Sequence, residues 1–285
     1  MTNHPQQDVC CLMGDPIAGN PTQYMLEKAF AAGRLDWRFL TFEVSALDFE
    51  GALRGARIFG FQGIMLAPPH RYAALPFLEE LTDVARLCGQ VNCIKQSEGR
   101  LRGDNTEGRA LRQLVEQATD LSDSQVTIVG AGRLARALAA ELAQAGVREI
   151  VFACRRPDTI EKFAQTLPVE TSLTSCRCED LGDQPPLKVA AECRLLINAT
   201  PVGRMQPREQ LPIDLDSLPT DLVVADVVYN PPQTWLLRVA QELDFTTIDG
   251  LTLLIEQVAL AFETWTDATA DRQAMREAVE EFLVL

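Results

Sequence analysis

Short apolar runs alternate with amphipathic stretches along nearly the whole chain. "VCCLMG" (9–14) reads as a strand, and "TQYMLEKAFAAG" (22–33) as a helix closed by its glycine. "WRFLTFEV" (37–44) alternates with the period of a strand. "SALDFEGALRGA" (45–56) follows as a helix opened by a Ser45 cap, and "GIML" (63–66) is a third strand. "VNCIK" and "GRLRG" pattern as a hairpin, and "NTEGRALRQLVEQA" (105–118) as a helix. The polar stretch "TDLSDSQ" (119–125) precedes a second region. There "VTIVG" (126–130), "EIVFA" (149–153), "LLINA" (195–199), "LVVADVV" (222–228) and "FTTIDG" (245–250) read as strands, with helical patterns between most of them. Residues 251–284 are helical again. Strands alternating with helices predict an α/β fold built on parallel sheets.

A chain of 285 residues suggests about two domains. At 47% hydrophobic and 23% charged residues it can build a full core. A net charge of −14 argues against non-specific nucleic-acid binding and against an anionic membrane surface. No apolar run approaches the roughly 20 residues of a membrane span. "MTNHPQQD" lacks the basic and apolar regions of a signal peptide, so a cytoplasmic protein is expected. The eight cysteines are then expected as reduced thiols. Cys176-x-Cys178 is too tight for zinc, and His4 and His70 are not placed to complete a site, so no metal is expected.

"VTIVGAGRLARALAAELAQAG" carries the strongest mechanistic signal. Gly130 permits a tight turn after a strand, Gly132 lets a pyrophosphate approach the backbone, and Ala135 takes the third small position. Ala131, Arg133 and Leu134 complete a loop that leads into the N-terminus of a helix, where free N–H groups favour phosphate. The end of the next strand selects the cofactor. An NAD site would place a carboxylate there. This chain has Cys154-Arg155-Arg156, which suits the 2′-phosphate of NADP.

With these residues in hand, the chain resembles the shikimate dehydrogenase family, including the quinate/shikimate enzymes. "GDPIAGNPTQYMLEKAF" (14–30), "GQVNCIK", "GDNTEG", "GAGRLARA", "INATPVG", "DVVYNPPQTWLL" and "DGLTLLIEQVALAFETWT" match family stretches in order, from about residue 10 to 266. The resemblance implies an N-terminal α/β substrate domain (1–104 with returning helices 251–285) and a Rossmann domain for NADP (105–250). The substrate would lie between them. It implies hydride transfer between a ring hydroxyl of shikimate and NADP, in a monomer or homodimer whose only other ligand is a small molecule. By the same resemblance, Asn92, Thr106, Tyr229 and Gln257 fall at substrate-side positions. Asn198, Thr200, Val227 and Gly250 fall around the nicotinamide and ribose.

The departures cluster where chemistry is expected. Family serines that hold the substrate carboxylate fall at Asn20 and Thr22, and a substrate-contacting threonine falls at Ala67. The catalytic lysine falls at Arg71 and the aspartate at Glu107. Arginine stays protonated in proteins, so Arg71 cannot accept a proton; it can stabilise a developing alkoxide as a fixed cation. The proton then falls to Glu107, a weak base beside Arg71, or to His70, an imidazole suited to the task. The bland readings are an Arg71–Glu107 ion pair and a packing role for His70. Three functions stay open: the family reaction on shikimate or quinate, the same chemistry on another substrate, and a non-catalytic NADP-binding protein.

Overall fold

The computed structural model describes residues 7–182 and 186–285. His4 and most of the segment weighed as a leader lie outside the described residues. The chain forms two compact units: the described residues through Thr106 together with Ile255–Leu285, and Glu107–Leu254.

The first unit runs β1 (Asp8–Gly14), α1 (Thr22–Ala32), β2 (Trp37–Glu43), α2 (Phe49–Ile58), β3 (Gly63–Leu66), α3 (His70–Ala73), β4 (Glu80–Leu81), α4 (Asp83–Cys88), β5 (Cys93–Ser97) and β6 (Arg100–Asp104). The second runs α5 (Thr106–Glu116), β7 (Gln125–Val129), α6 (Arg133–Gln144), β8 (Glu149–Cys154), α7 (Asp158–Glu170), β9 (Ser175–Asp180), β10 (Cys193–Asn198), β11 (Val223–Asp226), α8 (Trp235–Glu242) and β12 (Thr246–Ile248). Helix α9 (Gly250–Thr266) contains the second crossing between the units, and α10 (Arg272–Leu283) ends the chain.

The first sheet has the order β2-β1-β3-β5-β6-β4. Its parallel half, β2-β1-β3, is joined by the crossover helices α1 and α2. Covered on both faces, β1 and β3 read as unbroken apolar runs. The β5–β6 hairpin turns on Glu98 and Gly99, both left-handed (φ 51° and 75°), which matches the twist of the strands. α9 seats Trp265 against this sheet. Its indole Nε1 donates to the Ile94 carbonyl at 3.0 Å, and it lies where a Cβ on Gly63 would sit, 2.5 Å from that nitrogen. Arg272 joins α10 to α9 through a bidentate pair with Glu256 (2.6 and 2.7 Å) and a bond to Glu263 at 2.9 Å.

The second sheet is wholly parallel, in the order β12-β11-β10-β7-β8-β9. The order reverses between β7 and β10, and a doubly wound sheet opens a crevice for ligands at that point, beyond the carboxyl ends of the strands. The alanine-rich face of α6, including Ala135, Ala139 and Ala143, is fully buried, so the helix lies close to the sheet. Gly108 on α5 lies tight against α6, where a Cβ would come 2.6 Å from the Ala137 carbonyl.

Local geometry refines one expectation, the closure of α1 by Gly33, and corrects two others. Gly33 ends α1 in a right-handed conformation (φ −74°), and the left-handed residue is Arg34 (φ 52°). Ser45 orders the turn before α2 by bonding Asp48, whereas the helix itself starts at Phe49 with Asp48 as its N-cap. The strand read over 222–228 stops at Asp226, whose side chain takes the Val228 N–H at 2.9 Å. The eight cysteines are all free thiols, six of them buried. Among the described residues, no helix is long and apolar enough to cross a membrane.

Candidate active site

The crevice of the second unit is built from two glycines with different tasks. Gly130 follows β7 at φ 116°, a conformation side chains rarely adopt, and a Cβ there would come 3.0 Å from the Ala199 carbonyl. Its N–H donates to the Ala153 carbonyl at 2.8 Å, which pins the turn to β8. Gly132 precedes α6, and its missing Cβ faces open space with no heavy atom within 4 Å. No side chain caps α6, whose N-terminus begins at that glycine. An open glycine cradle at a helix N-terminus fits a pyrophosphate. Ala131 and Leu134 are half-buried and Arg133 is exposed. Cys154 ends β8 in a buried position, and Arg155 and Arg156 emerge beside it with both side chains exposed.

Across the switch point, β10 and β11 end side by side on Asn198 and Asp226. Both are 1% exposed. Asn198 Nδ2 donates to both Asp226 carboxylate oxygens at 3.0 Å and to the Val202 carbonyl at 3.2 Å. Its Oδ1 accepts from the Thr200 N–H (3.0 Å) and hydroxyl (2.6 Å). Asp226 also accepts from Val228 N–H and, at 2.7 Å, from the Thr234 hydroxyl. Burial pushes the Asp226 carboxyl up to about 6, against the pull of these donors. Asp226 and Thr234 were not among the residues expected to matter. The one signal in the sequence is a carboxylate closing a run of β-strand residues. Val227 and Tyr229 follow, each half-buried. Gly250 opens α9 where a Cβ would lie 2.7 Å from the Tyr229 nitrogen and closer still to the Val228 carbonyl.

In the first unit, Asn92 and Thr106 are fully buried and hold each other. Asn92 Oδ1 accepts the Thr106 N–H at 2.9 Å, and its Nδ2 donates to the Thr106 hydroxyl at 3.0 Å. Asn20 turns its amide oxygen onto the Thr22 N–H (3.0 Å), opening α1, and Thr22 itself is buried. Ala67 is buried at the end of β3, packed near Gly14. Gln257 is half-buried on α9. Arg71 is half-buried, and its Nε donates to the Leu66 carbonyl at 3.0 Å. Its own carbonyl accepts the Val91 N–H at 2.8 Å. The guanidinium stem is thereby anchored to the end of β3. Glu107 is 4% exposed in the first turn of α5, where the helix dipole favours a negative side chain.

His70 has a different place from its neighbour. It is 1% exposed, its ring stacks on Phe49 (centroids 4.3 Å apart, planes within 6°), and Nε2 donates to the Val44 carbonyl at 2.7 Å. This is the packing role. His70→Leu is therefore expected to lower stability by about 1–3 kcal/mol, because Val44 loses its donor. The pH–rate profile should keep its shape. Thermal melts and rates across the neutral range test both halves, and a lost ionisation in the profile would return His70 to the chemistry.

Comparison with known proteins gives three family matches. The model for the shikimate dehydrogenase substrate binding domain covers residues 12–94, that for shikimate/quinate 5-dehydrogenase covers 113–200, and that for the shikimate 5′-dehydrogenase C-terminal domain covers 250–280. A shikimate dehydrogenase (NADP(+)) of Methanopyrus kandleri is 36% identical over 98% of this chain and 97% of its own length. Among solved structures, a 5-ketofructose reductase of a Gluconobacter strain superposes with a TM-score of 0.93 at 33% identity, covering 97% of this chain and 99% of that one. A shikimate 5-dehydrogenase of Listeria monocytogenes, in complex with shikimate and NAD, gives 0.89 at 32% identity over 96% of both chains.

Proposed function

Because this chain belongs to the shikimate dehydrogenase family, we propose that it catalyses reversible hydride transfer between NADP(H) and a ring hydroxyl of shikimate or a related hydroxylated cyclic carboxylate. The observation that carries this reading is the 36% identity, over nearly the full length of both chains, to a shikimate dehydrogenase (NADP(+)). The relatives reported above all carry enzyme names, which weighs against the non-catalytic alternative.

The cofactor supplies or accepts the hydride; the protein's residues place it and handle the proton. Gly130, Ala131, Gly132, Arg133 and Leu134 hold the pyrophosphate on the open N-terminus of α6. Cys154, Arg155 and Arg156 receive the 2′-phosphate, and Asn198, Thr200, Val227 and Gly250 line the nicotinamide side. Asn20, Thr22, Ala67, Asn92, Thr106, Tyr229 and Gln257 make up the substrate side. Arg71 acts as a fixed cation toward the developing alkoxide, and Glu107 takes the proton. In this reading residues 1–104 and 251–285 form the substrate domain, residues 105–250 the nucleotide domain, and the enzyme works in the cytoplasm as a monomer or homodimer.

The exposed arginine pair sets cofactor choice. Replacing both Arg155 and Arg156 by alanine removes charge-assisted bonds to the 2′-phosphate. The KM for NADP should rise about 10- to 100-fold with kcat nearly unchanged and NAD kinetics unmoved. Equal losses with NAD and NADP would show that the pair acts elsewhere.

A second reading has its own support: the 0.93 TM-score against a 5-ketofructose reductase. Thr22 is buried, which leaves its hydroxyl less to offer a carboxylate, while Asn20 accepts the Thr22 N–H through Oδ1 and keeps its Nδ2 donors. A neutral polyhydroxy ketone needs no such holder. Initial rates with shikimate, with quinate and, in the reducing direction, with 5-ketofructose decide between the readings, run from about pH 6 to 10 with NADP and NAD in parallel. Turnover of the ring carboxylates supports the first. Turnover confined to the ketose supports the second.

A further inference from the structure

We propose that Asp226 is a positioning residue for the nicotinamide side of the cofactor site, its buried carboxylate tying together the turn after β10, the turn after β11 and the start of α8. The inference rests on the reading above, in which Asn198, Thr200 and Val227 face the cofactor.

The connectivity is specific. One carboxylate accepts from Asn198 on β10, from Val228 in the turn after β11, and from Thr234, the N-cap of α8. Through Asn198 the link extends to the Thr200 N–H and hydroxyl and to the Val202 carbonyl. The Val227 N–H is tied back to the Asn198 carbonyl at 3.1 Å. Thr200, Val227 and Tyr229 thus hang from turns that share one anchor. Gly203 is pressed against the same point: at φ 95°, a Cβ there would come 2.9 Å from Thr234 Cγ2.

The donors to Asp226 are all neutral, and burial pushes its carboxyl up to about 6, so at neutral pH the ionised group weighs against the fold. A hydroxyl or amide could hold one turn at lower cost. A carboxylate is the group that accepts from three segments at once, because its two oxygens offer about four lone-pair sites. Hydride transfer depends on that joint placement, since small displacements of bound reactants lower rates steeply.

The test compares NADPH with adenosine 2′,5′-bisphosphate, which carries the 2′-phosphate end and lacks the nicotinamide. Affinities are read by calorimetry, alongside kcat and KM. In Asp226→Asn, NADPH binding should weaken about tenfold and kcat fall by at least as much, with the bisphosphate affinity unchanged. Thr234→Val should move the same ratio in the same direction, and Thr234→Ser should restore it, because serine returns the hydroxyl. Equal weakening of both ligands, or no change in either, would overturn the proposal. If Asp226→Asn does not fold, the Thr234 pair decides: identical NADPH-to-bisphosphate ratios in the valine and serine variants would overturn it. Wild-type protein that binds neither probe would remove the cofactor reading itself, and this inference with it.

Discussion

Glu107→Ala is expected to lower turnover by about 100-fold or more while NADPH binding survives. Of the three polar side chains assigned near the reacting hydroxyl, two, Glu107 and His70, are candidates for its proton. Arg71 is not, because a guanidinium keeps its proton at any working pH. His70 is stacked on Phe49 with Nε2 committed to the Val44 carbonyl. In the proposed mechanism Glu107 is the group that takes the proton. Its backbone is set by the preceding residue, Thr106, whose N–H and hydroxyl are both held by Asn92. Glu107→Gln should lose nearly as much as the alanine variant, since it keeps the shape and loses the base. Steady-state kinetics and an NADPH fluorescence titration on the same preparations check this. Turnover near the wild-type rate in Glu107→Ala would remove Glu107 from the mechanism.

The second large effect is expected from one methyl group. Gly250→Ala would place a Cβ 2.7 Å from the Tyr229 nitrogen and closer to the Val228 carbonyl. Both are main-chain atoms, so no rotamer change relieves the overlap. The Val228 N–H is itself held by Asp226, so the turn after β11 resists displacement. Overpacking of this kind costs about 1–3 kcal/mol, and the upper end is expected where backbone meets backbone. If the turn yields, Val227 and Tyr229 move with it, and the KM for NADP rises. Urea unfolding and the NADP KM measure the two outcomes. Wild-type values in both would mean that the segment opening α9 shifts freely.

What could be read before folding was local. The strand-loop-helix from Val126 through Ala135 is legible because turn, close approach and packing each demand a small residue at a fixed offset. The hairpin around Glu98 and Gly99 is legible for the same reason. β9 is not: "SCRCED" alternates charged residues with half-buried cysteines, and as an edge strand it covers little. α4 is only six residues long and depends on the Thr82 cap and left-handed Gly89 rather than on an apolar stripe. α7 carries Pro168 near its C-terminal end, which blurs its pattern. The meaning of His70 lies in Phe49 and Val44, more than twenty residues away. Asp226 gains its partners only when β10 and β11 pair. Contacts between distant segments decide these residues, and they leave no periodic trace.

The thiols give the protein a set of internal clocks. Burial pushes Cys176 up to about 12 and Cys11 higher than that, so little thiolate exists at neutral pH in the folded chain. An alkylating reagent therefore modifies a buried cysteine mainly when the surrounding strand has opened. Cys10, Cys11, Cys88 and Cys93 lie in one unit, whereas Cys154 and Cys193 lie in the other. Peptide-resolved alkylation rates at Cys10 and Cys11 in one unit and at Cys193 in the other thus report the opening free energy of each, with no engineered label.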